Sequence, residues 1–580
     1  VQSRGMSDYL KKELTTRRGV LCNLDLPFLN NFVNEVLENN LENPPEIDFF
    51  QPEIMCWSIY PILKEIESDY PVLENYIAGP NQGLKRFQLA EKIANVFDNY
   101  QIYRTHLLLK WEQGSIKDRE KWQAHIWCEL AAEHVSRAHG FYKFISAPDL
   151  DVEIDRNYIN VFGISTLPPL YIQFFKKLSE FVDVHFFKFS WLGDEDNLKL
   201  EEGSGEYSQL YQFDLEQKVE QPQNQFLGSN GKTGLEFDLL LRNTADEYKI
   251  TRTDNQNDHL LARFQKSILE DKQSIPICID DSIQIHKTHN KMREVESLYN
   301  ALLNILDKNE SMAPGDITVI IPEVEEYTPY VKAVFNRYDD NHEKFLPYRI
   351  ADLTALSFQK FVETFTALLE INTSRFKASY ILKILENDMV RKAFDIDEED
   401  LDLITKWVEQ SGIRWGIDEK YHQEVGHSKF KENSWQFGLD RMLLGYAMSN
   451  ENQLYSEILP YDKIEGQNSN ILGHFVRFVR ELVNIDNKFK KKYTLQKWYQ
   501  IIIELIDTFF TPDNENYGYT FELKNRLESL FDKIESRDFK FGIDVIRNYL
   551  KSNLISESSS RGYFRGEITI GSTQHLHGIP

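Results

Sequence analysis

Gly231-Lys232-Thr233 reads like the end of a phosphate-binding loop, the first place where this sequence offers chemistry. In the full loop, GxxxxGK[ST], main-chain N–H groups cradle phosphate oxygens at a helix N-terminus. That spacing demands glycine at 226, where the chain has Phe226, and the residues upstream are the polar run Gln221-Pro222-Gln223-Asn224-Gln225 rather than a buried strand. The tripeptide therefore predicts a loop and no nucleotide site. Asp397-Glu398-Glu399-Asp400 has the acids of a magnesium motif, but such acids must end a central strand to reach the metal. Here they open a helix, where carboxylates complement the N-terminal dipole. Gly193-Asp194-Glu195-Asp196 runs into a loop, and Pro148-Asp149 with Asp151 and Glu153 lacks the lysine of a PD-(D/E)xK nuclease. His286 and His289 form HxxH at an expected strand end, not on a helix face where two imidazoles would meet one metal. Neither GxSxG nor HExxH occurs.

Cys22, Cys56, Cys128 and Cys278 are too scattered for a zinc or iron–sulfur site, and predict small hydrophobes in a reducing cytoplasm. The sequence thus predicts no catalytic, metal or cofactor residue. Its net charge of -25, from 66 basic and 91 acidic residues, excludes coating of nucleic acid by bulk attraction. A nucleic-acid role then requires a local groove lined by basic and aromatic groups.

The elements that would position such groups follow from periodicity. A length of 580 residues with 41% hydrophobic and 13% aromatic content predicts several packed domains. No apolar run approaches the roughly 18 residues of a membrane span. Residues 1–145 read as helical, with a strand-like run at Val20-Leu21-Cys22-Asn23-Leu24. A βαβ unit follows over 155–190, from strand Tyr158-Ile159-Asn160-Val161-Phe162 through a helix opened by Pro168-Pro169 to strand Val182-Asp183-Val184-His185-Phe186-Phe187. Residues 192–258 lose periodicity and read as a polar insertion. A second α/β unit is expected over 278–348, with strands Ser282-Ile283-Gln284-Ile285-His286 and Ile317-Thr318-Val319-Ile320-Ile321, resuming at 562–580 with Glu567-Ile568-Thr569-Ile570-Gly571. Between them 350–560 is helical, which predicts an all-helical insertion in an α/β domain. Both ends read as cut points, since Val1 is not an initiating Met and Leu576-His577-Gly578-Ile579-Pro580 stops in mid-phrase, so the chain reads as a fragment.

Several motifs resemble the RecC family of RecBCD helicase–nuclease (exodeoxyribonuclease V) subunits, in matching order along nearly the whole chain. They include Val1-Gln2-Ser3-x-Gly5-Met6-x-x-Tyr9-Leu10, then Asn23-Leu24-Asp25-Leu26-Pro27 with Asn31-Phe32. Arg86-Phe87-Gln88-Leu89-Ala90 precedes Phe97-Asp98-x-Tyr100-x-x-Tyr103-Arg104, and Gly163-Ile164-Ser165-x-Leu167-Pro168-Pro169 precedes Val184-His185. Arg293-Glu294-Val295-Glu296 follows. The longest are Ser411-Gly412-Ile413-Arg414-Trp415-Gly416 and Trp435-x-Phe437-Gly438-Leu439-x-Arg441-Met442-Leu443-Leu444-Gly445-Tyr446-Ala447-Met448.

The resemblance implies an inactivated superfamily 1 helicase-like fold, with 1–275 as a first helicase-like domain and 278–348 plus 562–580 as part of a second. It implies a non-catalytic subunit that holds RecB and RecD, handles duplex and single-stranded DNA and scans for Chi, while ATP and Mg²⁺ are used by partner subunits in a bacterial cytoplasm. The family's strand-contacting positions fall on Gln2, Arg4, Asp8, Phe28, Asn34, Asn95, Asp98, Arg104 and Arg137. Amides and carboxylates read base edges, guanidinium groups hold phosphate and a ring stacks a base. Arg4 stands for the family's Thr, Asp8 for Gln, Asn34 for Trp and Asn95 for Asp, so a shared surface with a different preferred sequence is expected. The stretch Gly571-Ser572-Thr573-Gln574-His575 departs from the family pattern. A plain structural role stands beside each assignment, and Asp98 and Arg104 are candidates for a mutual ion pair. An active helicase or an AddB-type subunit with catalytic motifs outside this stretch, and a scaffold without DNA contact, are the competing readings.

Overall fold

The structure is a computed structural model that describes residues 1–20, 22, 24–147, 152–191, 200–202, 217–219, 221–251, 257–273, 279–339, 342–350, 356–448, 454–464, 466, 468–511, 517–534, 539–554 and 567–572. It is mixed α/β, mostly helical, with small parallel sheets. The chain divides into two compact units, one of residues 1–50, 96–353 and 559–580, the other of 51–95 and 354–558.

In the first unit α1 (Arg4–Arg18) starts at Ser3, whose hydroxyl accepts the Met6 N–H and closes the first turn. Helix α2 (Leu29–Asn40) buries Phe32, Val33, Val36 and Leu37, one stripe at helical spacing. The long helix α3 (Gln82–Tyr103), of which the residues from Val96 on belong to this unit, ends before Arg104, which N-caps α4 (Thr105–Glu112), and α5 (Arg137–Ser146) follows Ser136, whose hydroxyl takes the His139 N–H. The βαβ unit forms as its pattern requires. Strand β1 (Tyr158–Phe162) pairs in parallel with β2 (Asp183–Phe187), Tyr158 opposite Asp183 and Phe162 opposite Phe187, with α6 (Pro169–Leu178) between them. Ile159 and Val161 point into a core with Phe32, Phe141, Phe144, Phe174 and Phe175. Each such side chain contributes roughly 1.5–3 kcal/mol by leaving water.

The stretch expected to be a polar insertion contains part of that core. After an antiparallel pair, β3 (Leu200–Glu202) with β4 (Gln217–Val219), a single π turn at Leu227–Gly231 leads into α7 (Lys232–Thr244). Phe237 and Leu241 of α7 join the β1–β2 core, while Leu235 and Leu239 pack on Leu227 and Trp191. Lys232, at the helix start, is exposed and lies 4.0 Å from Glu236.

A second sheet orders β5 (Thr318–Ile320), β7 (Ile568–Gly571) and β6 (Tyr348–Ile350), all parallel, with β7 central and fully buried. Its core adds Val295, Tyr299 and Leu302 of α8 (Lys291–Lys308) and Val331, Val334 and Phe335 of α9 (Val324–Phe335). Residues 282–286 are not a strand: Ile285 is 93% exposed, so its alternating pattern has neither a partner strand nor a core to face. The strand-like run at 20–24 includes Leu21 and Asn23, outside the described residues, and Val20, Cys22 and Leu24 are not in a strand.

The second unit is helical. Helices α11 (Asn468–Phe489) and α12 (Leu495–Phe509) bury continuous stripes, among them Phe475, Phe478 and Leu482 of the first and Trp498, Ile502 and Phe509 of the second. Residues 51–95, which the sequence reading grouped with 1–145, belong to this unit, with Trp57 packed on Phe87, Phe541 and Tyr549.

Candidate nucleic-acid interface

Residues Asp98 and Gln101 are three apart on α3 and therefore share one helix face. Both meet the start of α5. The Asp98 carboxylate lies 3.6 Å from the Arg137 guanidinium, an ion pair longer than a hydrogen bond. The Gln101 side-chain oxygen accepts the Arg137 main-chain N–H at 3.0 Å. Arg137 is only 8% exposed and Gln101 is fully buried, yet the Arg137 Nε–H and the Gln101 amide nitrogen have no hydrogen-bond partner. Burial pushes the Asp98 carboxyl above the usual aspartate range, and the distant guanidinium only partly opposes this. Burial also raises the Tyr171 phenol, which feels the charges of Arg137 and Asp98, and whose hydroxyl donates to Asn30 at 2.7 Å. That bond ties α6 to α2.

Gln2 reaches the loop at the carboxyl end of β1, the end of a strand where α/β sheets commonly bind ligands. The Val1 ammonium donates to the Pro27 carbonyl at 3.0 Å, and burial lowers its pKa. Gln2, exposed, accepts the Ser165 main-chain N–H at 3.3 Å in the loop after β1. Phe28, 44% exposed, N-caps α2. The loop before it is fixed by Arg156, which bridges Asp25 and Glu35 at 3.1 Å each and lies over the Phe32 ring. Asn34 is half-buried one turn beyond Asn30 on α2, and Asp8 is half-buried on α1. Arg4 begins α1; its side chain lies outside the described residues.

The remaining two predicted residues have other neighbours. Arg104 is exposed with its guanidinium 5.4 Å from the centre of the Tyr100 ring, so it is not the partner of Asp98; Arg137 is. Asn95, in the 51–95 segment, lines a cavity of about 600 Å³ with Glu53, Gln88, Glu91 and Asn548. Its amide donates to the Glu91 carbonyl at 2.8 Å. Sequence reading missed Gln101, Tyr171 and Asn30. Only the helical spacing from Asp98 to Gln101 could have pointed to one of them.

The longest motifs form a different kind of site. Arg441 of α10 (Trp435–Ala447) donates from Nη1 to the Ser411 carbonyl at 2.7 Å and from Nε to the Leu459 carbonyl at 2.9 Å. The Trp435 indole donates to the Phe376 carbonyl at 2.8 Å. Fully buried His422 directs Nδ1 at the Phe430 carbonyl, 2.9 Å away, and Nε2 at that of Trp415, 3.4 Å away. A side chain on Gly445 would enter the Tyr461 backbone, and one on Gly438 would enter the Ile413 side chain. Gly416 has φ +79° and faces the His422 ring. These residues close a fold. Among the described residues, no group of three or more His, Cys, Asp or Glu is placed to hold a metal, and no helix is long and apolar enough to cross a membrane.

Together these features define a mixed α/β, mostly helical protein in which a buried arginine with unused donors faces a carboxylate. Residues 1–271 match the family described as RecC, N-terminal domain, and 359–558 the RecBCD enzyme subunit RecC fourth domain. The chain belongs to the RecC family. It is 28% identical to the RecBCD enzyme subunit RecC of Escherichia coli (strain K12) across all of this chain and 57% of that protein. It is 26% identical to the subunit of Haemophilus influenzae, over all of this chain and 57% of that one, and 25% identical to that of Mycolicibacterium smegmatis, over 89% and 49%. The chain thus spans about half the length of the curated relatives it matches.

Proposed function

We propose that this chain is the non-catalytic DNA-handling part of a RecBCD-type helicase–nuclease acting in double-strand break repair. It binds RecB and RecD, takes up the unwound single strand in the bacterial cytoplasm and reads it for Chi. Its α/β layers are those of a superfamily 1 helicase without the ATP site, and ATP and Mg²⁺ belong to the partner subunits. The observation that carries this is the Asp98–Arg137 pair. As a charge-neutral unit it offers a donor and an acceptor rather than net positive charge, which suits a nucleobase edge better than a phosphate. This also fits a chain of net charge -25. Gln2, Asn34 and Asp8 supply further edge contacts, Phe28 a stacking ring and Arg4 and Arg104 phosphate contacts. With Asn34 where the family has Trp, stacking falls to Phe28, and the Chi sequence recognised differs from that of members with Trp.

The test is photocrosslinking of a single-stranded oligonucleotide to the assembled complex, with a photoreactive residue at Phe28 or Gln2. Crosslinking at both positions, competed by unlabelled strand, is expected. Assembly with RecB and RecD but no crosslink at either position would leave a protein scaffold as the function.

A further inference from the structure

We propose that Gln101 is a positioning residue for strand binding, one that fixes Arg137 at its main chain so that the guanidinium stays uncommitted; this rests on the function proposed above. Arg137 is the first residue of α5, where a helix leaves its N–H groups without internal partners and is most prone to fray. Two side chains secure this end. Ser136 takes the His139 N–H, and Gln101, reaching from α3, takes that of Arg137. Asp98, one turn before Gln101, faces the guanidinium of the same residue. Arg137 is therefore fixed relative to α3 at its backbone and only loosely held at its side chain.

The unpaired amide of Gln101 separates this role from ordinary capping. A fully buried amide nitrogen without an acceptor costs about 1–3 kcal/mol. A leucine of similar size would carry no such penalty, losing only one bond to a terminal N–H. Stability alone therefore does not account for glutamine here. What glutamine supplies is an acceptor for the N–H that carries no charge. A carboxylate in its place would draw the neighbouring guanidinium into a second ion pair and remove it from the strand.

The experiment measures binding of a fluorescent single-stranded 20-mer to the full chain, with thermal unfolding of each variant. Gln101→Leu is expected to weaken binding about tenfold, the scale of one well-placed polar contact, while its melting temperature is unchanged or higher. In an Arg137→Gln background the same substitution is expected to change binding less than twofold, because the group it positions is gone. Gln101→Asn, one methylene too short to reach the Arg137 N–H, should behave as Gln101→Leu does and serves if the leucine variant does not fold. Wild-type binding with both variants within twofold of it, or an equal loss in the Arg137→Gln background, would overturn the role of Gln101 alone. No binding by wild type would overturn the strand-binding function and this role with it.

Discussion

Arg137 is buried and Arg441 partly buried, and their guanidinium groups are used in opposite ways. Arg441 directs Nε and Nη1 to two carbonyls from separate segments, Leu459 and Ser411. Arg137, only 8% exposed, leaves Nε unpaired and faces a carboxylate beyond hydrogen-bond length. A buried donor with an acceptor is structure; a buried donor without one is a penalty that some other role must justify. The most recognisable motif of the chain thus surrounds the residue that holds a fold, and the uncommitted residue lies in a much less conspicuous stretch.

The largest effect expected from breaking this contrast is at Gly445. Gly445→Ala places a methyl group in the Tyr461 main chain, which should lower stability by about 3 kcal/mol or more, read as a shift in the urea midpoint. A loss below about 1 kcal/mol would show that the close approach is not needed. Arg441→Met removes two carbonyl bonds and should lower stability by about 2–3 kcal/mol, with strand binding by the folded protein unchanged. Arg137→Met should do the reverse. Its stability should change by less than about 1 kcal/mol, while affinity for a single strand falls by about 1–3 kcal/mol, the worth of a base-edge contact.

Asp98 sharpens the contrast through pH. Burial raises its folded pKa above the unfolded value, about 3.9 for a free aspartate, so the folded state holds the proton more tightly. Its contribution to stability is fully present below the unfolded value and is lost as pH rises through the raised one. Urea midpoints of wild type should therefore fall relative to Asp98→Asn as pH rises through that window, and run parallel above it. The smallest effect belongs to exposed Arg104, where Arg104→Ala should change stability by less than about 0.5 kcal/mol and reduce the salt slope of strand binding by about one.

The β1–α6–β2 unit was legible because its strand alternation, its Pro-Pro helix start and its apolar stripe all agree. Helix α7 was not, for a physical reason. Leu235 and Leu239 face one cluster while Phe237 and Leu241 face another, so its apolar residues alternate and no single helical stripe appears. Residues 282–286 failed in the other direction: alternation is a property of the segment, whereas a strand also needs a neighbour. The helical character of 350–560 was visible, but nothing in the sequence of 51–95 announced which unit it would join. At the candidate interface, family resemblance pointed to Asp98 and Arg137 but not to each other. Gln101 was silent because a polar residue reads as solvent-facing until a tertiary contact buries it.

The central place of β7 in its sheet has a consequence during synthesis. Its outer neighbours end at Ile320 and Ile350, and the strand between them begins at Ile568, 218 residues after the second of these (568 minus 350). At ribosomal speeds of about 5–20 residues per second, β5 and β6 wait roughly 10–45 s before the strand they share exists. Throughout that interval both expose unpaired edges, while the helices of 354–558 are made and can already form their local contacts. The nascent chain is then most prone to association with other chains after the helical region has emerged and before β7 has. A trigger for chaperone engagement is therefore expected in that window, and ribosome-bound chains stalled near residue 555 should be captured by holdases more strongly than chains released after β7.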